Sequence, residues 1–485
     1  MRTYAPALLV APLVGAAQGA AWFLGVPLVM AALVTSALTL ATTVGRGRLA
    51  LGAILLGLVS ASQAMVRPQP VLMTGEAVAL VEVQEGMRRV MPGRVTFLAR
   101  EAFSLQPATF LCRAVELPWR NTATIRPGDL IWIRGELAPV RREPNPGSWS
   151  SWLWRRGVSY EFKVTHLSRP LGEGRPPLLH LARESIEQLV LNSTEGRRGA
   201  ALLLSMALGS RDLLSKQVED SFMELGLTHL LVVSGYQVSL VFGAVYGICR
   251  ALAARGALGG WARGSASVAA ILCSTMYVLL IGPEVSPMRA LVAAAALAFE
   301  SLTEGSARFA QRWGVSLLIV ELIWPWAMLE IGVQLTFAAL AGIGIGSTIG
   351  RGSPLRSAVW VQVSVWAFTS LICVAWSGRI SVVGLVLNLA VAGPWSALNC
   401  LIGLPAVIGL AFGAPGATHI VQAVAYLNEG LSSCLLKLLD LGIGATTHSG
   451  SMHALCLALL AAICVQLSHR AIDERHRSAA LKLAG

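Results

Sequence analysis

Charge is scarce in this 485-residue chain: Asp, Glu, Lys and Arg together make up 13% of it, about half the share of an ordinary soluble domain. That shortage excludes a single water-soluble globule. There are eight cysteines, none in C-x-x-C spacing, which excludes a zinc ribbon and a disulfide framework. Seven of them, Cys249, Cys273, Cys373, Cys400, Cys434, Cys456 and Cys464, lie in or beside apolar segments and read as small buried hydrophobes. Cys112 alone falls in a polar region. No G-x-x-x-x-G-K-[ST] run occurs, so the chain lacks the phosphate loop of a self-powered transporter. We expect no metal site, no cofactor and no catalytic residue.

What is abundant is apolar. Hydrophobic residues make up 55% of the chain and mean hydropathy is +0.64. At about 20 residues per crossing, the apolar segments suggest a polytopic α-helical membrane protein of about ten to thirteen transmembrane helices. A net charge of +12 fits an anionic partner, and equally fits basic cytoplasmic loops.

Residues 1–66 hold three apolar stretches, 5–23, 25–44 and 49–65, with Arg46 and Arg48 between the last two. The first reads as an uncleaved helix rather than a signal peptide, since Arg2 alone charges its start and further spans follow. Composition then changes. Residues 67–170 carry frequent charge and short β-rich runs at 77–83, 94–99, 109–117, 130–137 and 160–167, separated by turns such as Pro127-Gly128-Asp129. Five short strands at this spacing predict an inserted small β-barrel, most simply OB-like. Arg113, Arg120, Arg126, Arg134, Arg141 and Arg142, interleaved with Trp132 and other aromatics, suit single-stranded nucleic acid. The plainer reading fills the barrel with the aromatics and leaves the arginines solvated. Trp149, Trp152 and Trp154 beside Arg155 and Arg156 suit a segment at a bilayer surface.

Residues 171–225 read as amphipathic or interfacial helices; the apolar run 200–208 is too short to cross, and Gly209 stops it. Residues 226–467 hold the remaining spans, and 468–485 are a polar tail. Run 382–412 is long for one crossing and contains Pro394 and Pro405, so it reads as two spans, or as one span and a re-entrant piece.

The stretch Gly226 to Val238, G-L-T-H-L-L-V-V-S-G-Y-Q-V, opens an apolar run to Cys249, about 36 Å of helix if continuous. His229, Ser234, Gly235, Tyr236 and Gln237 sit in its first half. Polar groups at membrane depth face a bundle interior or a wet cavity, or else serve a close helix–helix contact. Ser286-Pro287-Met288-Arg289 reads as a helix start with Arg289 in the first turn. There a cation opposes the helix dipole unless an anion compensates. Gln334 and Asn388 lie in the first turns of later spans. Basic loops at Arg250/Arg255/Arg263, Arg308/Arg312 and Arg351/Arg356 read as cytoplasmic. On that topology the β-domain and all these polar positions lie toward the outer side, as a vestibule beneath a basic barrel.

Four of these stretches together resemble the ComEC-type competence proteins, inner-membrane channels for incoming DNA. The Gly-x-x-His-Leu run ending in Ser234-Gly235 resembles the family's signature. Ser286-Pro-Met-Arg289-Ala290 resembles its Ser-x-x-Arg-Ala helix start, and Gly332-Val-Gln-Leu-Thr-Phe337 its Gly-Phe-Gln-Leu-Ser-Phe element. Asn145, Pro146 and Gly147, with Trp149 and Arg156-Gly157, resemble the end of its extracytoplasmic OB-like domain. Many members have His where Gln237 stands, and Gln cannot titrate or ligate metal as imidazole does. Many also carry a C-terminal metallo-β-lactamase-like domain; no H-x-H-x-D-H run occurs here. The resemblance implies a multi-pass protein of the bacterial cytoplasmic membrane that passes single-stranded transforming DNA. Its expected partners are membrane lipid, a cytoplasmic ATP-driven motor, a DNA receptor, a separate nuclease and further copies of the chain. Rival readings are a transporter of a small anionic metabolite or lipid intermediate, and a non-conducting scaffold whose β-domain binds a protein. A hydrolase built on Ser234 and His229 is disfavoured, because five residues apart they lie on nearly opposite helix faces.

Overall fold

The computed structural model describes residues 74–447, except 92–93, 104–107, 116–126, 142, 144–148, 169, 172–177, 256–261, 283–286, 293, 296–329, 351, 378 and 445. The three N-terminal stretches, the apolar runs 315–328 and 452–467 among the remaining spans, and the polar tail lie outside the described residues. The chain divides into two compact units near Ser185 and Ile186.

The first unit is a closed five-stranded barrel. Its strands are β1 (Gly75–Met91), β2 (Arg94–Glu101), β3 (Thr109–Val115), β4 (Leu130–Pro139) and β5 (Tyr160–Leu167). They run in the order β1-β2-β3-β5-β4 and close back onto β1. Only β3 and β5 are parallel. Period-2 alternation sends Val81, Val83, Phe97, Phe110, Cys112, Ile131, Ile133 and Phe162 inward to one apolar core. On β4 the alternate residues Trp132, Arg134 and Glu136 point out. Gly135 is needed where β4 shifts register against β5: a Cβ there would sit 2.0 Å from the Lys163 carbonyl oxygen. Helix α1 (Trp149–Arg155) links β4 to β5.

The second unit is helical and is organised around α3 (Arg198–Leu208), which follows α2 (Leu178–Ser193). The run 200–208, expected at a bilayer surface, is enclosed by protein instead: from Gly199 to Leu208 every residue but Ala201 is buried. Its small residues let another helix close in. A Cβ on Gly199 would lie 1.8 Å from the carbonyl oxygen of Ala425 on α11 (Ala417–Asp440). Helix α11 buries Val421, Val424, Ala425, Asn428, Leu431, Ser432 and Leu435, a 3.6-period stripe.

After α4 (Lys216–Glu224), the stretch expected as one continuous helix from 226 is broken. Helix α5 (Thr228–Leu231) is a single turn, Val232 and Ser234 are extended, and α6 (Gly235–Ala254) starts afresh. The cause is local. The Ser234 hydroxyl accepts the N–H of Gln237, and the Gln237 side chain accepts the N–H of Ser234. This reciprocal cap starts a helix and competes with continuing one. His229 and Tyr236 therefore do not share a helix face.

Helices α7 (Ala262–Ile281), α8 (Ile331–Ile349), α9 (Pro354–Ser377) and α10 (Val383–Ala411) follow. Among the described residues four helices are long and apolar enough to cross a membrane: α6, α8, α9 through Val374, and α10. Helices α8 and α9 pack through glycines four apart. A Cβ on Gly342, Gly346 or Gly350 would come within 2.6 Å of the α9 backbone, the close approach that small residues allow in membranes. The run 382–412 is one helix, not two. Each proline follows a wide π-helical segment, Asn388–Ala392 before Pro394 and Leu398–Gly403 before Pro405. The wider turn accommodates the missing N–H and the ring without ending the helix.

Candidate functional site

The polar residues of the helical unit are held by backbone as much as by one another. The last four carbonyls of a helix have no partner inside it, and at the C-terminus of α3 they are buried. Three of them find partners beyond the helix. The Ser205 carbonyl accepts from the N–H of Gly209 at 2.9 Å, with Gly209 left-handed at φ 75°, and the Leu204 carbonyl just before it accepts from the N–H of Ser210 at 3.3 Å. That of Met206 accepts from Gln237 Nε2 at 2.8 Å, and that of Ala207 from the Tyr277 hydroxyl at 3.0 Å. Ser205 Oγ in turn donates to the Leu231 carbonyl at 3.1 Å. Gln237, 1% exposed, thus caps α6 with its oxygen and the end of α3 with its nitrogen. Tyr277 and Ser205 were missed in the sequence. The available signal was a phenol in an otherwise apolar run, since a buried hydroxyl needs a partner.

Arg289 is buried in the first turn of the helix that begins at 287. Its Nη2 donates to the Thr336 hydroxyl at 2.9 Å and to the Gly332 carbonyl at 3.3 Å. Thr336 itself donates to Gly332 at 2.8 Å. The Ser-x-x-Arg-Ala and Gly-x-Gln-Leu-Thr-Phe stretches, 43 residues apart at Arg289 and Gly332, are one hydrogen-bonded unit. Gln334 is half-buried on the same first turn of α8.

Asn388 opens the first π segment of α10 and donates from Nδ2 to the Gly226 carbonyl at 3.4 Å. Its Oδ1 is buried without a hydrogen-bond partner among the described residues. Gly226 is left-handed at φ 74°. A Cβ there would meet Ser381 at 2.9 Å and the Gly384 Cα at 3.4 Å, so both φ and space select glycine. His229 and Tyr236 are exposed. Gly235 begins α6.

On the barrel, Arg113 pairs with Glu161 at 3.3 Å and Arg134 with Glu76 at 3.2 Å. Trp132 is 44% exposed, and Arg141 is exposed. Arg120, Arg126, Arg142, Asn145, Pro146 and Gly147 lie outside the described residues. Helix α1 turns its apolar side onto the barrel: Leu153 is buried with Leu111, Val140 and Val158, and Trp152 and Trp154 pack against them. That side is therefore not free for a bilayer. Outside it, Trp149 stacks on Trp152 with ring centroids 4.8 Å apart. Arg156 lies over Trp152 at 4.5 Å and Arg113 over Trp149 at 5.9 Å. Among the described residues no three His, Cys, Asp or Glu side chains gather where they could hold a metal ion.

Apolar helices of crossing length, buried polar brackets between them and a small β-barrel in the same chain define a membrane protein with an inserted soluble-type module. Residues 206–470 match the family model for competence proteins. That is more than half of the chain, and the protein belongs to this family. It is 25% identical over 230 residues to ComE operon protein 3 of Bacillus subtilis (strain 168), covering 46% of this chain and 28% of that protein. It is 28% identical over 282 residues to competence protein ComA of Neisseria gonorrhoeae, covering 56% of this chain and 38% of that one. The chain thus spans well under half the length of either relative. No solved structure matches it.

Proposed function

We propose that this chain is a channel through which one strand of incoming DNA crosses the bacterial cytoplasmic membrane during natural competence. One observation carries the reading. The residues that match the competence family, 206–470, take in the brackets that Gln237 makes to Met206, Arg289 to Thr336 and Gly332, and Asn388 to Gly226. Polar side chains at membrane depth are costly, and where they occur they favour a wet path over plain packing. The barrel, which we read as OB-like from its strand order, holds and guides the strand. Phosphates meet arginines of the barrel, Arg113 among them, and bases stack on an exposed indole. In the helical unit Arg289, Gln334 and Asn388 replace part of the hydration of the passing phosphates.

The basic loops orient the chain with the barrel outside the cytoplasm. The reading is conduction, not catalysis: the Ser234 hydroxyl accepts the cap N–H of α6, and His229 belongs to a different helix, α5. The chain draws on a cytoplasmic ATP-driven motor and receives the strand from a DNA receptor. The test is uptake of labelled DNA in a deletion strain. Wild type should restore it and Arg289→Ala should not, at matched membrane levels of the two proteins. Unchanged uptake in the deletion strain ends the proposal.

A further inference from the structure

In OB barrels the outer face of strands 2 and 3 holds oligonucleotides. Here that face is covered. Leu98 and Leu111 are paired across β2 and β3 and lie outside the core set of Phe97, Ala99, Phe110 and Cys112. Leu111 is buried and Leu98 half-buried beneath Leu153, Trp152 and Trp154 of α1. Leu153 is 1% exposed, so a strand could reach the sheet there only by lifting α1. What lies there in place of the open sheet is a stack of two indoles, Trp149 and Trp152, with Arg113 of β3 at Trp149 and Arg156 at Trp152.

We propose that single-stranded DNA docks on the outer side of α1, with a base added to the open end of this stack at Trp149. The proposal rests on the barrel being the strand-holding module. Trp152 is contacted by Trp149 at 4.8 Å and by Arg156 at 4.5 Å, and it packs against the Leu153 cluster. Trp149 is 51% exposed, and Arg113 lies on it more loosely, at 5.9 Å. Arg113 is also shared with Glu161 in an ion pair half-open to solvent. Such a pair contributes little and exchanges readily, so the guanidinium can swing to a phosphate while a base takes its place on the indole. Anchoring by Leu153 fixes the stack before the ligand arrives, which lowers the ordering cost of binding. Among the described residues the other exposed indole is Trp132, which faces Leu80 across the β1–β4 seam. Its neighbours alternate in sign, with Arg134 on Glu76 and Lys163 on Glu136. Arg156, by contrast, lies on an indole.

The experiment uses the full chain in lipid nanodiscs and a fluorescein-labelled oligo-dT, read by anisotropy at about 50 and 200 mM salt. Trp149→Ala should weaken binding about tenfold, Trp149→Phe should keep most of it, and Trp132→Ala should leave it unchanged. Arg156→Gln should flatten the salt dependence by roughly one charge. Loss in Trp132→Ala with none in Trp149→Ala overturns the proposal but leaves the strand-holding barrel standing. No binding by wild type at the lower salt removes both. Photocrosslinking of bromodeoxyuridine oligonucleotide to the wild-type chain decides the matter without a variant: an adduct at Trp149 supports the site, and one at Trp132 refutes it.

Discussion

Gln237 satisfies two backbone groups: the N–H of Ser234 and the carbonyl of Met206. Removing a partner from a buried carbonyl costs about 1–3 kcal/mol. Gln237→Ala should therefore lower the thermal midpoint of the detergent-solubilised protein. Gln237→Glu should lower it too, because a carboxylate can accept from Ser234 but cannot donate to Met206. Gln237→His should lose less than either, since neutral imidazole donates through one nitrogen and accepts through the other. Equal midpoints for Ala and His would show that the bracket adds nothing. At this scale the sequence was half legible. Polarity in an apolar run picked out Gln237, Arg289 and Asn388. Their partners, the carbonyls of Met206, Gly332 and Gly226, are backbone groups at a distance, and no residue type marks them. The same gap explains Ser234, whose role as a helix cap ends the idea of one unbroken span.

Elements were legible where their pattern is local. Alternation set the five strands, and for β5 the expected run 160–167 has the observed bounds. Gln334, expected in the first turns of a later span, lies in the first turn of α8 at 331–349. The fate of the short run 200–208 was not legible, because enclosure depends on α11, more than 200 residues on. Helix pairing makes a sharp prediction. A Cβ on Gly346 would sit 2.5 Å from the Trp360 carbonyl oxygen, whereas one on Gly344 meets nothing within 4 Å. Gly346→Ala should force α8 and α9 apart at a cost of about 1–3 kcal/mol. Gly344→Ala should be neutral or stabilise by up to about 1 kcal/mol through helix propensity. Melting of the two variants in the same detergent checks the pair; equal losses would remove the packing argument. The barrel offers a second check. Cys112 is fully buried in its core, and burial pushes the thiol well above its ordinary range. It should resist alkylation at pH 7 to 9 until the barrel opens. Sign follows from which state holds the proton: the unfolded thiol ionises above about pH 8.5 and the folded one does not. Barrel stability should then fall as pH rises past that point, by up to about 1.4 kcal/mol per unit. Cys112→Ala should be flatter over the same range.

For the whole molecule, the single helix α10 sets how the run 382–412 crosses in the proposed orientation. With Arg250, Arg255 and Arg356 assigned to the cytoplasm by that proposal, α9 would run outward and α10 would run back. One crossing by α10, 29 residues long or about 43 Å, exceeds the roughly 30 Å of a bilayer core and fits with tilt. The turn after it, where Phe412 is 87% exposed, should lie in the cytoplasm, and Trp132 on the barrel should lie outside. A membrane-impermeant maleimide applied to spheroplasts should therefore label Trp132→Cys before lysis and Phe412→Cys only after it, each read against the unsubstituted chain. The two failures mean different things. If both sites change sides, the loop-charge orientation is inverted and α10 still crosses once. If Phe412→Cys alone labels from outside, α10 returns to the face it left, and the bracket from Asn388 to Gly226 would hold a re-entrant segment rather than a crossing helix.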